Sequence, residues 1–305
     1  MVETNPSSAR RDLDGILILD KPVGLTSNQA LQRVKRMLRA RKAGHCGSLD
    51  PLATGVLPLC LGQATKFSSY LLAADKAYLA TCRLGQTTTT ADAEGEVIDA
   101  REVEVNRAQI EAVLPRFRGE IMQIPPMYSA LKHQGKRLYQ LARAGQEVER
   151  EPRAVTIHKL ELCEYDGLKL KLEVCCSKGT YIRSLAQDIG EALGCGAHLT
   201  ALRRRMANPF VERDSITLEQ LQHMAEKDQI DALLLPVSAA LNQFPELNLD
   251  ARESERIRQG KVLSLNPEVT AGLYRLNLEN GEFLGLGEAF PDGQLKAKRL
   301  MNTAR

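Results

Sequence analysis

Several features that define common protein classes are missing from this sequence. It contains no tryptophan, and aromatic residues make up only 4% of its 305 residues. No apolar run approaches the roughly 18 residues that a membrane-spanning helix needs. The first 15 residues also lack the apolar stretch of a secretory signal peptide. We therefore expect a cytoplasmic protein without a membrane span.

Motifs for bound cofactors and metals are missing as well. The sequence has neither the G-x-G-x-x-G motif of dinucleotide-binding proteins nor the G-x-x-x-x-G-K-[ST] phosphate loop. Its seven cysteines include no C-x-x-C pair, and no two histidines have zinc-site spacing. We expect reduced and mostly buried thiols, no metal, and no nucleotide or flavin cofactor.

Charge is distributed unevenly along the chain, although the net charge is only +3. Residues 15–90 contain ten Lys and Arg against three Asp and Glu, whereas residues 91–130 contain four against eight. Such asymmetry is typical of a basic face that meets a polyanion such as RNA. An ordinary solvated surface explains the charges equally well at this point.

The N-terminal third predicts a strand, a helix and a loop. Residues 15–20 are apolar and end at a Lys-Pro-Val-Gly turn, which indicates a short buried strand. Thr26 and Gln29 match a capping box, and an apolar stripe at helical spacing follows them. Residues 43–56 contain three glycines and an Asp-Pro pair, so we expect a loop there.

Further along the chain, residues 78–84 alternate in the manner of a half-buried strand. The polar residues 87–90 and 92–95 predict an exposed turn. Residues 125–150 mix Pro, Gly, Tyr and basic residues, which is typical of a mobile, partly helical arm. A strict period-two strand covers residues 168–174, and a helix with one apolar stripe begins near residue 182.

The last 55 or so residues change character and predict a small β module. Asn280 and Gly281 form a typical hairpin turn between two apolar segments, and Pro-Asp-Gly at residues 291–293 turns the chain into a third strand. The helical pattern stops in residues 242–250, where Pro and Asn residues occur. We expect the domain boundary in that segment.

Asp50 is the first candidate for chemistry, because it lies in the glycine-rich loop just after a basic helix. An Asx-type turn is the simpler explanation for an Asp-Pro pair. In a cleft, the same carboxylate can act as a nucleophile or as an acid or base. Arg183 is a candidate partner, since a guanidinium within ~4–6 Å lowers an Asp pKa by about 1–3 units.

The sequence GHCGSLDPLATGVLP at residues 44–58 resembles the catalytic-loop motif of the TruB family of pseudouridine synthases, the bacterial tRNA pseudouridine-55 synthases. Flanking blocks agree with that family in order and spacing. They are LDKPVG (19–24), LGQATK (61–66), RLGQ (83–86), PMYSALK (126–132), SKGTYIR (177–183) and GCGAHL (194–199). Several long blocks in one order are a specific signal, and together they cover about residues 13–245.

The resemblance implies an α+β pseudouridine synthase fold, in which a mixed, largely antiparallel sheet and helices surround a central cleft. It implies a flexible tail at residues 1–12, a catalytic domain at 13–245 with an RNA-gripping arm at 125–150, and a PUA-like RNA-binding module at 246–305. The activity it implies is the isomerisation of uridine 55 in the tRNA T loop to pseudouridine, without a cofactor or metal.

The resemblance also implies a role for individual residues. Asp50 matches the catalytic Asp, His45 the residue that fills the space of the flipped base, and Tyr78 the residue that stacks on the uracil. Tyr181 and Arg183 match the motif that lines the pocket and pairs with the Asp. Leu202 matches an apolar position of the pocket, and Lys21 and Pro22 match residues that give structural support. The matches to phosphate contacts are Lys66, Lys132, Lys136, Arg203 and Arg204.

This sequence departs from the family pattern at Cys46, where Thr is usual, and at Ser48, where Ala or Thr is usual. Both residues are small, so the loop is expected to keep its shape. The threonine run at residues 87–90 replaces a more acidic version, which weakens any role assigned to it.

Two alternatives to this enzyme stay open. One is a catalytically silent protein that binds or folds tRNA. The other is a sugar-directed hydrolase, which would need a second carboxylate about 5–10 Å from Asp50. In either tRNA reading the partner is the tRNA T arm. We expect a monomer that needs no protein partner.

Overall fold

The computed structural model describes residues 10–302. Its strands are β1 (Gly15–Lys21), β2 (Ala43–His45), β3 (Ala53–Leu61), β4 (Lys76–Leu84), β5 (Gln86–Thr88), β6 (Val97–Ala100), β7 (Gly119–Gln123), β8 (Lys132–His133), β9 (Lys136–Arg137), β10 (Arg153–Tyr165), β11 (Lys169–Cys176), β12 (Ala197–Ala207), β13 (Phe210–Val211), β14 (Glu246–Leu249), β15 (Leu263–Ser264), β16 (Gly272–Leu278), β17 (Phe283–Ala289) and β18 (Gln294–Leu300). Its α-helices are α1 (Ser27–Met37), α2 (Ser68–Ala73), α3 (Arg107–Val113), α4 (Leu138–Arg143), α5 (Ile182–Ala192), α6 (Leu218–Glu226) and α7 (Ala251–Arg258).

One large sheet organises most of the chain. Its strand order is β1-β3-β12-β4-β11-β10-β7, with β2 added beside β3 and β13 beside β12. Within it only the pair of β12 with β3 is parallel, and the other pairs are antiparallel. The expected α+β class with a mixed, largely antiparallel sheet is confirmed.

Helices cover this sheet through two apolar clusters. Leu185 and Ile189 of α5 pack with residues of β4, β11 and β12, whereas Val34 of α1 packs with residues of β1 and β3. The apolar stripes that predict these two helices are the faces that they bury. Both helices begin next to loops that carry polar, chemically competent side chains.

Most local predictions in the first 200 residues are confirmed. Tyr78, Ala80, Cys82 and Leu84 are buried along β4 while their neighbours are more exposed. The Thr26–Gln29 capping box is present at the start of α1. The loop predicted over residues 43–56 is wrong in extent, because its ends pair as β2 and β3 and only residues 46–52 stay outside strands.

The arm of residues 125–150 contains the short β8–β9 hairpin followed by α4. It leaves the sheet at the end of β7 and returns at the start of β10, which are paired neighbours with Gln123 opposite Arg153. The arm is therefore a closed excursion from one corner of the large sheet.

The C-terminal segment forms a second sheet of five strands, in the order β14-β16-β17-β18-β15. The hairpin turn at Asn280 and Gly281 is confirmed, since β16 and β17 pair across it. Most of the tail predicted at residues 1–12 lies outside the described residues. Arg11 is described and forms a β-bridge with Ala40, so the expected flexible tail does not extend through residue 11.

All seven cysteines are free thiols, and five of them are buried, as expected. Cys46 and Cys60 form a buried pair with 3.3 Å between their sulfur atoms. In residues 10–302, the structure contains no helix that combines the length and the apolarity needed to span a membrane.

Candidate active site

The loop of residues 46–52 joins β2 to β3 and carries Asp50. The Ser27 hydroxyl, at the start of α1, accepts a hydrogen bond from the Leu49 N–H at 2.7 Å and donates one to the Leu49 carbonyl at 3.2 Å. The Gly24 N–H donates to the carbonyl of the residue after Asp50 at 2.8 Å. The backbone on both sides of Asp50 is therefore held by neighbouring segments.

Asp50 and Arg183 form the contact that the sequence predicts. The Arg183 Nε lies 3.0 Å from the Asp50 Oδ2. The guanidinium also donates to the carbonyl of Thr90 at 3.1 Å and to the carbonyl of Tyr128 at 2.7 Å. The arginine side chain is 5% exposed, whereas the Asp50 side chain is 43% exposed. A buried, fully engaged cation thus orients a carboxylate that remains open to a ligand.

Asp92 is a second carboxylate beside the same arginine, with its Oδ2 3.7 Å from the Arg183 Nε. Its side chain is only 3% exposed. Its Oδ1 accepts hydrogen bonds from the Thr90 hydroxyl at 2.5 Å and from the Glu94 N–H at 3.0 Å. These contacts hold Asp92 as a buried counter-ion of the arginine.

The prediction that residues 87–90 and 92–95 form an exposed turn is therefore wrong for several of these residues. Thr87, Thr88 and Asp92 are all buried. Backbone hydrogen bonds link this segment to Leu199 on β12 and press it against the large sheet. The Thr88 hydroxyl donates to the Asp92 carbonyl and the Thr90 hydroxyl to the Asp92 carboxylate, so these polar groups have partners within the segment. A run of Thr and Asp residues gives no hydrophobic signal for such burial.

Asp92 also bears on the hydrolase alternative, because it is a second carboxylate near Asp50. Glycosidases that use two carboxyl groups need both of them open to the sugar or to the attacking water. Asp92 is buried, and its oxygens face Arg183, Thr90 and the backbone. Asp92 is therefore not the second open carboxylate that such a hydrolase needs. The exposed carboxyl of Glu94 also lies within electrostatic reach of Asp50, whose charge contributes to raising the pKa of Glu94.

The pKa of Asp50 is shifted upward from its ordinary value, which differs from the lowering expected from Arg183 alone. Burial raises this pKa most, the Arg183 charge lowers it, and the nearby charge of Asp92 raises it again. The predicted ion pair is present and Arg183 acts in the expected direction, but burial decides the direction of the net shift. The cost of desolvating the carboxylate exceeds the benefit of its cation.

Tyr78 and Leu202 lie in one apolar cluster on neighbouring strands. Leu202 on β12 stands opposite Ala80 on β4, two residues from Tyr78. Both side chains are largely buried. Burial raises the pKa of the Tyr78 hydroxyl, and the charge of Arg204 opposes that rise. The tyrosine is therefore a neutral ring in an apolar wall near Asp50.

Tyr181 directly precedes α5, and a residue that the sequence analysis missed fixes its backbone. The Gln123 Oε1 accepts a hydrogen bond from the Tyr181 N–H at 2.7 Å, and the Gln123 Nε2 donates to the Tyr181 carbonyl at 3.0 Å. Gln123 is only 2% exposed. Gln123 is the one buried residue of β7, which is otherwise exposed or half-buried. Sequence alone does not indicate that this glutamine is buried.

Lys21 is fully buried at the end of β1, in agreement with a supporting role. Its Nζ donates to the carbonyl of Pro22 at 2.9 Å and to that of Leu25 at 2.5 Å. Burial lowers the pKa of Lys21 to about 8, and the charge of Asp50 opposes this fall. Pro22 itself is exposed and contributes its backbone carbonyl.

His45 ends β2 and leads directly into the loop of Asp50. Burial lowers the pKa of its imidazole, which favours the neutral ring. Its Nδ1 is buried without a hydrogen-bond partner in the described part of the chain. The ring lies in the segment where the sequence predicts contact with RNA.

Three of the five predicted phosphate contacts already have partners inside the protein. The Lys66 Nζ donates to the Leu300 carbonyl at 3.0 Å, and Arg203 forms an ion pair with Asp20 at 2.9 Å. Arg204 is 1% exposed. The prediction is wrong for Arg204, because a fully buried guanidinium is not presented to a phosphate.

The other two candidates, Lys132 and Lys136, are exposed on the β8–β9 hairpin of the arm. Neither forms an ion pair among residues 10–302, so both side chains are open to an anion. Their role as phosphate contacts stays a prediction. In the same described range, no group of three or more His, Cys, Asp or Glu side chains is arranged to hold a metal ion.

Comparisons with known proteins agree with this geometry. Residues 35–182 match the family described as "TruB family pseudouridylate synthase (N terminal domain)". Residues 183–242 match "tRNA pseudouridylate synthase B C-terminal domain" and residues 245–301 match "Pseudouridine synthase II TruB, C-terminal". The three matches follow one another along nearly the whole chain.

Individual relatives are similar over their full length. The "tRNA pseudouridine synthase B" of Stutzerimonas stutzeri is 53% identical, over 96% of this chain and 97% of that protein. The protein of the same name from Methylobacillus flagellatus is 52% identical, over 97% of each chain.

A solved H/ACA RNP bound to a substrate RNA containing 2'-deoxyuridine includes a similar chain. That chain has a TM-score of 0.74 and 26% identity, and the match covers 99% of this chain and 92% of that one. Identity above half over almost the entire length, three consecutive family matches and the shared fold lead to one conclusion. The chain belongs to the TruB family of pseudouridylate synthases.

Proposed function

We propose that this protein isomerises uridine 55 in the T loop of tRNA to pseudouridine, with Asp50 as the residue that acts on the sugar. The observation that carries this proposal is the open Asp50 carboxylate, held 3.0 Å from the buried Arg183 Nε. The names of relatives more than 50% identical support a tRNA pseudouridine synthase.

The reaction breaks the bond between uracil N1 and the ribose C1′, rotates the base and joins its C5 to C1′. The proton on C5 then leaves and N1 gains a proton, so that the product is an isomer of the substrate. Asp50 acts as a nucleophile at C1′, or it takes a proton from C2′ to give a glycal intermediate. Both routes need the ionised carboxylate. Arg183 favours that form and keeps the oxygens turned toward the cleft.

Access to C1′ requires the target uridine to leave the loop stack, which costs a few kcal/mol. Tyr78 offers a neutral aromatic face for the flipped uracil, and base–aromatic stacking contributes about 1–3 kcal/mol. Leu202 extends the apolar wall, and Tyr181 lines the pocket next to Arg183. His45 fills the space that the base leaves.

The substrate partner that we propose is the tRNA T arm, gripped by residues 125–150 with Lys132 and Lys136 toward its phosphates. We assign catalysis to residues 13–245 and a further RNA contact to the PUA-like module at 246–305. The proposed enzyme works as a monomer without cofactor, metal or protein partner. Since its substrate is tRNA, we propose the cytoplasm as its location.

The test uses purified full-length protein and an unmodified tRNA transcript, beside the same transcript with cytidine at the T-loop target. Pseudouridine is mapped by carbodiimide treatment and primer extension. Asp50→Asn is compared with the wild type, and the affinity of both for tRNA is measured. The amide keeps the shape of the side chain but is neither a nucleophile nor a base.

We expect one stop, at the target uridine, which is absent with the cytidine transcript and with Asp50→Asn. We also expect Asp50→Asn to bind tRNA within a few-fold of the wild type. Activity of Asp50→Asn near the wild-type level would remove the role assigned to Asp50. Tight tRNA binding by a wild-type protein that produces no stop would favour the catalytically silent alternative.

A further inference from the structure

The base of the arm is hydrogen-bonded to the segment that carries Arg183. Gln123, the last residue of β7, makes two hydrogen bonds to the backbone of Tyr181, at 2.7 and 3.0 Å. The next residue, Ile124, accepts a hydrogen bond from the Ser184 hydroxyl at 3.2 Å. The carbonyl of Tyr128, inside the arm, accepts one from Arg183 at 2.7 Å. Four contacts thus join two short segments.

These contacts connect the arm to Tyr181 and, through Arg183, to Asp50. On one side the arm starts directly after Gln123 and returns opposite it at Arg153. On the other side Tyr181 precedes the first turn of α5, and Arg183 extends from that turn to Asp50. A shift at the arm base therefore moves the backbone that aims the guanidinium.

Gln123 has the chemistry that this junction requires. Tyr181 is the N-cap residue of α5, and its side chain caps no backbone N–H. Its own N–H is bonded to Gln123, and its carbonyl accepts from both Gln123 and the Leu185 N–H, the latter at 3.1 Å. A primary amide is both donor and acceptor, so one side chain satisfies the N–H and the carbonyl of the same residue. Without Gln123 the Tyr181 N–H loses this partner, which is costly, whereas the Tyr181 carbonyl keeps its bond from the Leu185 N–H. No apolar side chain of the same length replaces either bond to Gln123.

We propose that Gln123 is a positioning residue for the isomerisation, which transmits engagement of the arm with RNA to the Asp50–Arg183 pair. This inference rests on the proposed function. Gln123 does not touch the reacting atoms and acts through Tyr181 and Arg183. Its loss slows the chemical step more than it weakens RNA binding.

The experiment compares wild type, Gln123→Met and the matched control Gln220→Met, using an unmodified tRNA transcript. Methionine has a similar length and makes neither hydrogen bond. Gln220 also bonds a backbone N–H, that of Thr217 before α6, outside the site. Single-turnover rate, tRNA affinity and thermal stability are measured for each, and the rate is followed against pH.

We expect Gln123→Met to lower the single-turnover rate at least about tenfold, with tRNA affinity within a few-fold of wild type. The acid limb of its pH profile moves to higher pH, because a misplaced Arg183 opposes the raised pKa of Asp50 less well. The charged and titratable groups around Asp50 are Arg183 of α5, Tyr181 before it, Asp92 and Glu94 of the segment after β5, Lys21 of β1 and Tyr78 of β4. We expect the substitution to displace Tyr181 and Arg183 and to leave the others in place. Gln220→Met keeps the wild-type rate and profile.

Ser184→Ala is the second variant, since it removes one hydrogen bond at the same junction. It gives a smaller rate loss in the same direction and keeps the test valid if Gln123→Met does not fold. An unchanged rate in Gln123→Met, or equal losses of rate and affinity with an unmoved acid limb, would overturn the positioning role. A wild-type protein that makes no pseudouridine would instead refute the proposed function.

Discussion

The pairing of Asp50 with Arg183 combines opposing electrostatic effects on one carboxylate. Burial and Asp92 raise the pKa of Asp50, while Arg183 lowers it. Because the role that we propose for Asp50 needs the ionised carboxylate, we expect the rate to be lost as pH falls through this raised pKa. The acid limb of the activity profile therefore lies above the ordinary pKa of an aspartic acid.

Arg183→Gln makes this balance measurable. Without the guanidinium, burial and the uncompensated charge of Asp92 raise the pKa of Asp50 further, so more of it is protonated at a given pH. We expect a lower rate and an acid limb displaced to higher pH, measured as kcat/KM for the tRNA transcript. Arg183→Lys keeps a charge and should shift the limb less. An acid limb at the wild-type position in Arg183→Gln would contradict this account.

The sequence identified the Asp50–Arg183 pair and Lys21, but not Asp92 and Gln123, which hold the pair from other elements. Asp50 and Arg183 stand in long motifs of fixed spacing, and such motifs determine local structure. Asp92 and Gln123 are recognisable only after the chain is folded, because their partners lie on other elements. Arg204 was misjudged for a related reason. Its charge suggested a surface, whereas its position between β3 and β4 buries it.

The start of α1 is coupled to the catalytic loop through Ser27. Ser27 and Leu49 are both buried, and the serine hydroxyl is the partner of the Leu49 N–H and carbonyl. Thr26, one residue earlier, caps the helix through its hydrogen bonds with Gln29. The Thr26 hydroxyl therefore stabilises the start of α1, and the adjacent Ser27 hydroxyl attaches that start to the loop.

Ser27→Ala leaves the buried Leu49 N–H unpaired, which costs about 1–3 kcal/mol of stability, and loosens the backbone next to Asp50. Thr26→Ala loses a helix cap, at a cost of about 0.5–2 kcal/mol. We expect urea unfolding to show a loss for both variants, and a slower single turnover for Ser27→Ala alone. Equal turnover in the two variants would mean that the loop does not depend on α1.

Element types were predicted better than element ends and neighbours. β4 has strict alternation and α1 has a capping box, so periodicity and capping chemistry are sufficient there. The glycine-rich segment at residues 43–56 has neither, and it enters the sheet only because β1 and β12 lie beside β3. Strand order depends on contacts between distant residues, which local patterns do not contain.

Across the whole molecule, the two sheets do not correspond to two separate cores. Phe67 and Ile16 of the N-terminal part share one apolar cluster with Leu286 of β17. The rings of Phe67 and Phe283 meet edge to face, with 5.6 Å between their centroids. The C-terminal sheet also has its own cluster around Leu276. A boundary drawn at the change in sequence pattern therefore divides the sheets but cuts through a shared core.

A chain that ends at residue 245 should consequently be less stable than the full chain. Removing β17 exposes Phe67 and its neighbours, and each fully buried large apolar side chain contributes about 1.5–3 kcal/mol. We expect a lower melting temperature and binding of a hydrophobic dye by the shortened chain, and one cooperative transition for the full chain. Leu286→Ala in the full chain removes part of the same contact, at a cost of about 2–5 kcal/mol. If the shortened chain melts at the full-length temperature, the cluster does not stabilise the catalytic sheet, and the C-terminal sheet is retained for binding alone.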